Sequence, residues 1–183
     1  KPHCAFTDLV AWRDQLVCAF REGEKHADDQ GQIRVLVSSD AGKQWESSAI
    51  LRQDGADLRD AKLAVTPNDR LMLLGGLQTG TGEERTTSTV VSFSKDAYSW
   101  TLPEPIGETG RWLWGVAWYE QQAYGIAYPT PNGKPHTSLM TSTDGRQFDT
   151  LVAEFASEGR PTEAVVRFDS KGHAWCLHRR EEG

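Results

Sequence analysis

One short turn pattern recurs three times along this chain, and it constrains the fold more than any other feature. The first copy is Ser38-Ser39-Asp40-Ala41-Gly42-Lys43-Gln44-Trp45, which reads S-x-D-x-G-x-x-W. The third is Ser142-Thr143-Asp144-Gly145-Arg146-Gln147-Phe148, one residue shorter and closed by Phe. Between them lies Ser94-Lys95-Asp96-Ala97-Tyr98-Ser99-Trp100, with Ala in place of Gly. Trp45 and Trp100 are 55 residues apart, and Trp100 and Phe148 are 48 apart. A period in this range marks repeated supersecondary units. Each residue type suits a tight hairpin turn. Asp accepts hydrogen bonds from the backbone N–H groups that follow it. Gly supplies a positive φ at little steric cost. The aromatic returns the chain to an apolar layer and is expected to bury a large area there. The Ala97 copy is expected to differ in its turn or to carry strain.

A second repeat runs in step with the first. Four pairs of short apolar runs open the units: Leu9–Trp12 with Leu16–Phe20, Leu63–Thr66 with Leu71–Leu74, Val116–Trp118 with Ala123–Tyr128, and Val165–Phe168 with His173–Leu177. Polar turns split each pair. Trp12, Thr66, Trp118 and Phe168 are spaced by 54, 52 and 50 residues. Short β-rich runs with turn signals at regular spacing predict an all-β chain. No window of helical length carries a 3.6-residue apolar period.

Composition narrows the classes further. The net charge of −6 argues against nucleic acid or an anionic membrane as partner. No apolar run is long enough to span a membrane, so no insertion is expected. Cys4, Cys18 and Cys176 make no disulfide framework, and the equivalent places of Cys18 and Cys176 in their hairpins predict buried packing roles. No Cys/His cluster has zinc-ligand spacing, so no metal or other cofactor is expected. The Gly-rich run 76–82 follows a strand and opens no helix. It reads as a hairpin loop, not a phosphate cradle.

The turn pattern resembles the Asp box, or bacterial neuraminidase repeat, of sialidase-like β-propellers, where it joins the third and fourth strands of a blade. The resemblance implies a β-propeller of four-stranded antiparallel blades. It divides the chain, a single partial propeller domain over 1–183, into blades at about 4–53, 57–104 and 110–156, with half a blade at 160–183. The segments His3–Leu9, Phe20-Arg21-Glu22-Gly23, Leu58–Leu63, Trp112-Leu113-Trp114, Glu163–Phe168 and Arg179-Arg180-Glu181 resemble a bacterial exo-α-sialidase-like group of six-bladed propellers. Three and a half blades leave a ring open. The remaining blades are expected from a longer chain or from a second copy. The resemblance also implies a secreted or periplasmic location.

In a propeller the first strand of each blade lines the central channel, and the segments entering it converge on one face. Here those segments bring Asp8, Arg59, Asp60, Trp112, Trp114 and Glu163, with His3 beside them. The ends of second strands add Arg21, Glu22, Arg179 and Arg180. Carboxylates work as general acid and base on a glycosidic bond, which makes Asp8, Asp60 and Glu163 the candidate catalytic residues. Arginine offers bidentate hydrogen bonds to a carboxylate, and Trp faces stack on sugar rings. Arg21, Glu22, Arg59, Trp112, Trp114, Arg179, Arg180 and His3 are the candidate substrate contacts. The competing reading makes Arg59, Asp60 and Glu163 inter-blade salt bridges of the channel wall.

The expected partner is a carbohydrate, and the expected activity is sialidase-like hydrolysis of terminal sialic acid or a related acidic sugar. The alternative is a non-catalytic glycan-binding or protein-interaction propeller. The chain departs from the group at Ala61 (commonly Pro), Thr162 (commonly Asn) and Gly115 (often Arg). Arg21 stands where the first of a sialidase's three carboxylate-binding arginines would stand, but in the motif Phe-Arg-Glu-Gly. No tyrosine nucleophile is placed: Tyr98, Tyr119, Tyr124 and Tyr128 read as turn or outer-strand residues.

Overall fold

The computed structural model describes residues 3–130 and 136–182. They form an all-β arc of antiparallel sheets. The first sheet is a meander of β1 (His3–Trp12), β2 (Gln15–Gly23), β3 (Gln32–Ser38) and β4 (Glu46–Leu51). The second contains β5 (Asp57–Val65), β6 (Leu71–Thr79), β7 (Thr86–Ser94) and β8 (Glu104–Ile106). The third contains β9 (Arg111–Tyr119), β10 (Gln122–Pro129), β11 (Thr137–Ser142) and β12 (Asp149–Ala156). A final hairpin pairs β13 (Pro161–Phe168) with β14 (Ala174–Arg180). Strand β6 runs on through Thr79, so half of the Gly-rich run is strand rather than loop.

The first strands β1, β5, β9 and β13 abut in sequence order, as the inner strands of propeller blades do. The apolar cores lie between sheets, not within them. Trp12, Val17, Ile33, Val35 and Val37 of the first sheet meet Leu58, Leu71, Leu73 and Val90 of the second. On the other face of the second sheet, Met72, Leu74, Val91 and Phe93 meet Leu113 and Val116 of the third. Successive residues of a strand point to opposite faces. The run Leu71-Met72-Leu73-Leu74 is therefore apolar throughout because both of its faces are covered. Polar contacts tie the blades together as well. The Trp12 indole donates to Asp69 Oδ1 at 2.8 Å, and Arg13 pairs with the same carboxylate at 2.9 Å.

The three repeated turns join β3 to β4, β7 to β8 and β11 to β12. In each, the serine hydroxyl donates to the aspartate and accepts a backbone N–H, while the aspartate accepts N–H groups further along (Ser38 with Asp40, Ser94 with Asp96, Ser142 with Asp144). Ala97 keeps the same network at φ +66°, the left-handed region that disfavours a Cβ. The strain expected of this copy is thus present, while the turn itself is unchanged.

Two packing expectations fail. Trp100 and Phe148 pack back onto the core of the preceding blade, but Trp45 is 39% exposed. Cys176 is exposed and Cys18 only half-buried. Trp45 belongs to the first blade, which has no preceding blade among the described residues to pack on, whereas Cys176 lies opposite the buried Val166 on the face toward blade three and is still exposed.

Candidate functional site

The residues expected at the blade entrances are organised by an irregularity that recurs in all four inner strands. In each, two residues oppose one on the neighbouring second strand. Phe6-Thr7 lie across from Phe20, Asp60-Ala61 from Gly75, Trp114-Gly115 from Ile126 and Thr162-Glu163 from Arg179. Such β-bulges re-aim side chains and recur beside functional sites. Two of the four force a non-glycine residue into the left-handed region, Phe6 at φ +58° and Asp60 at φ +57°. That conformation costs about 1–3 kcal/mol at each position and persists only where the surroundings fix it.

The bulge at Asp60 explains the local chemistry. In a regular strand Arg59 and Asp60 would project to opposite faces. Here the Arg59 Nε donates to Asp60 Oδ2 at 3.1 Å. The Arg59 guanidinium also reaches Gln78 at 3.2 Å and Asp57 at 3.7 Å, and lies 5.3 Å from the centre of the Phe6 ring. Asp60 is only 4% exposed, and its Oδ1 has no hydrogen-bond partner among the described residues. Burial pushes the Asp60 carboxyl up to about 6, against the pull of Arg59 and Lys62 and with a further push from Glu163.

Glu163 occupies the matching bulge of the last hairpin. It accepts from Arg179 at 3.0 Å, and Arg179 also pairs with Glu181 at 3.0 Å. The third blade contributes an aromatic cluster. Trp112 and Tyr128 stack with centroids 6.0 Å apart, and Trp114 lies 5.6 Å from Trp112. A Cβ at position 76 would overlap the Trp112 ring, so Gly76 is what lets blade three close onto blade two. Lys62 sits over Trp114 at 4.9 Å.

Tyr128 is the residue that sequence reasoning missed. It lies in β10, the second strand of its blade, not in a turn or an outer strand. Its hydroxyl is pushed well above its ordinary range, first by burial and then by the charges of Glu163 and Asp60. Arg59 and Arg179 act on it in the opposite direction. Side chains from blades two, three and four therefore share one electrostatic environment. The repeat itself carries the signal: Arg21-Glu22 and Arg179-Arg180 end the second strands of blades one and four, and Tyr128 holds that place in blade three.

Other expected residues go elsewhere. Arg21 is fully buried and donates to both oxygens of Asp57 at 2.7 and 3.0 Å, to Asp28 at 3.3 Å and to the Lys25 carbonyl at 2.8 Å. A buried guanidinium needs an internal anion, and Asp57 supplies it, so the geometry withdraws Arg21 from the surface a ligand would touch. Glu22 pairs with Arg34 at 2.6 Å, and this bond holds its carboxyl below the usual range. One oxygen of Asp8 accepts the Leu63 N–H at 2.7 Å and staples β1 to β5. Arg180 is exposed, 3.7 Å from Glu158. His3 stacks edge-on against His26 with centroids 5.5 Å apart. The Arg59–Asp60 and Arg179–Glu163 pairs each lie within one blade, so they do not bridge blades as the competing reading required. Among the described residues, no group of three His, Cys, Asp or Glu has metal-site geometry.

No family model matches the sequence, and no curated protein matches it. Solved structures do. The chain is similar to a Penicillium chrysogenum alpha-L-arabinanase complexed with arabinobiose, at 14% identity and TM-score 0.75, over 96% of this chain and 57% of that one. It is similar to a family 93 alpha-L-arabinofuranosidase of Fusarium graminearum, also with arabinobiose, at 15% identity and TM-score 0.75, over 96% and 56%. A family 117 glycoside hydrolase of the marine bacterium Zobellia galactanivorans aligns at 11% identity and TM-score 0.63, over 86% and 48%. The chain thus spans about half the length of these structures. At such identities the likeness shows the fold: the chain is part of a β-propeller of the architecture used by glycoside hydrolases.

Proposed function

We propose that this chain belongs to a carbohydrate-active propeller that hydrolyses a glycosidic bond, with Asp60 as general acid and Glu163 as the second carboxylate. One observation carries the reading. Asp60 is a buried carboxyl in a strained bulge, whose proton affinity is raised toward neutrality and whose second oxygen has no partner among the described residues. A general acid needs those properties to protonate a leaving oxygen. Glu163 is more exposed, pairs with Arg179 and holds the matching bulge, the place for a second carboxylate acting as base or nucleophile. Trp112, Trp114 and Tyr128 supply an apolar wall beside the acids for the C–H face of a sugar. The blades that complete the ring come from outside these residues.

The finer reading is a sialidase-like enzyme acting on terminal sialic acid or a related acidic sugar. It rests on the turn motifs and on Arg59 and Arg179 in the same environment as Asp60 and Glu163. A neutral sugar is the second reading, and a specific observation favours it. Arg21, Arg59 and Arg179 each already pair with carboxylates of this chain, so none stands free for a substrate carboxylate. The arabinobiose complexes among the similar structures accord with that.

Full-length protein assayed on fluorogenic sialoside, arabinofuranoside and galactoside decides the matter. Hydrolysis of one of these, lost in Asp60→Asn, supports the enzyme. Glycan binding without turnover on any of them would replace it with a lectin-like role.

A further inference from the structure

A cavity apart from the Trp cluster is lined by the first residues of β9, Arg111 and Leu113. It opens between blades two and three with a volume of about 400 Å³. That volume falls within the range of small-molecule sites. Its floor is apolar, formed by Ile106, Leu113, Met140 and Phe148, and Arg111 stands at its wall. None of Asp60, Glu163, Trp112, Trp114 and Tyr128 lines it. The cavity therefore does not belong to the candidate catalytic ring.

Arg111 differs from the arginines of that ring. It has no carboxylate partner among the described residues, although it is half-buried. Among the described residues only its Nη2 is engaged, donating to Ser138 Oγ at 2.7 Å and to the Ala127 carbonyl at 3.2 Å. Ser138 in turn donates to the Ala153 carbonyl at 2.6 Å. This relay fixes the guanidinium plane and leaves Nε and Nη1 with donors to offer. A half-buried, preoriented guanidinium with spare donors is a carboxylate receptor, because charge-assisted bidentate bonds are strongest where water is partly excluded. Glu108, also at the cavity, offers an acceptor for hydroxyl groups.

We propose that this cavity binds a carboxylate-bearing monosaccharide, its carboxylate on Arg111 and its C–H face on Phe148. The site is independent of hydrolysis at Asp60 and would hold an acidic unit of a glycan even where the catalytic ring takes a neutral one. Titration of full-length protein with glucuronate, with glucose as control, tests it by calorimetry. Glucuronate binds and glucose does not. Arg111→Gln weakens glucuronate about tenfold or more, as loss of a charge-assisted pair requires. Because Arg111 also braces Ser138, a second variant guards against misfolding. Thr150→Phe narrows the cavity from β12 without touching Arg111, and it abolishes glucuronate binding while leaving the melting temperature and any glycosidase rate unchanged. Asp60→Asn leaves glucuronate binding intact. Absence of glucuronate binding, equal binding in Thr150→Phe, or loss in Asp60→Asn would each overturn the proposal.

Discussion

Blade two and the last hairpin carry the same bulge, yet their acids live in different surroundings. Asp60 is flanked by packed sheets on both sides, and its carboxyl rises to about 6. Glu163 sits on a hairpin whose outer face is bare, with Trp175 and Leu177 exposed beside it. The backbone device is common to both, and the difference lies in how much protein covers it. The bulge redirects a carboxylate, and at Asp60 the covering blades raise its affinity for a proton. Two carboxyls with unlike environments are what acid and base roles require.

The largest effect should come from opening the covered side. Leu73→Ala in β6 removes a side chain buried between blades and should lower stability by about 2–5 kcal/mol in chemical denaturation. Leu177→Ala on the bare hairpin, 77% exposed, should change the same measurement by less than about 0.5 kcal/mol. Comparable losses at the two positions would erase the contrast between the regions.

Asp60 itself provides a pH test. Its folded-state affinity for a proton exceeds that of the unfolded chain, whose carboxyl titrates near 3.8. Between about pH 4 and 6 the folded state therefore holds more protons. The contribution of this group to stability falls as pH rises through that window, by about 3 kcal/mol at most. Asp60→Asn should flatten that slope relative to the parent protein in urea titrations at stepped pH. As a general acid Asp60 also predicts hydrolysis that declines as pH rises above about 6, with a loss of at least about a hundredfold in Asp60→Asn.

A smaller effect belongs to the repeated turns. Asp144→Ala deletes the acceptor of several N–H groups and should cost about 1–2 kcal/mol. Hydrolysis and glycan affinity at the Asp60 ring should be untouched, because the turn lies at the outer strands, away from Asp60. A drop in affinity at unchanged melting temperature would give the turn a role beyond structure.

The blades were legible in the sequence because repetition is a one-dimensional signal. The same Ser, Asp and aromatic residues return at blade spacing, and Leu71-Met72-Leu73-Leu74 shows its two covered faces in its composition. The site was half legible. Asp60, Glu163, Trp112 and Trp114 follow from strand position alone. The commitment of Arg21 does not, because its partner Asp57 is 36 residues away and meets it only through packing of one blade on the next. The bulges also escape a linear reading, since Ala61 and Gly115 carry no mark of being the extra residue. Their regularity becomes visible only in register, where Phe6, Asp60, Trp114 and Thr162 fall at spacings of 54, 54 and 48. Tyr128 shows the reverse case, a position the repeat already marked.

The most direct measurement is a carbon-13 NMR titration of the aspartate carboxyls in the full-length protein and in Asp60→Asn. One aspartate should titrate near 6, and that signal should vanish in the variant. If no aspartate titrates above about 5, or if the high-titrating signal survives in Asp60→Asn, the buried bulge does not hold a general acid.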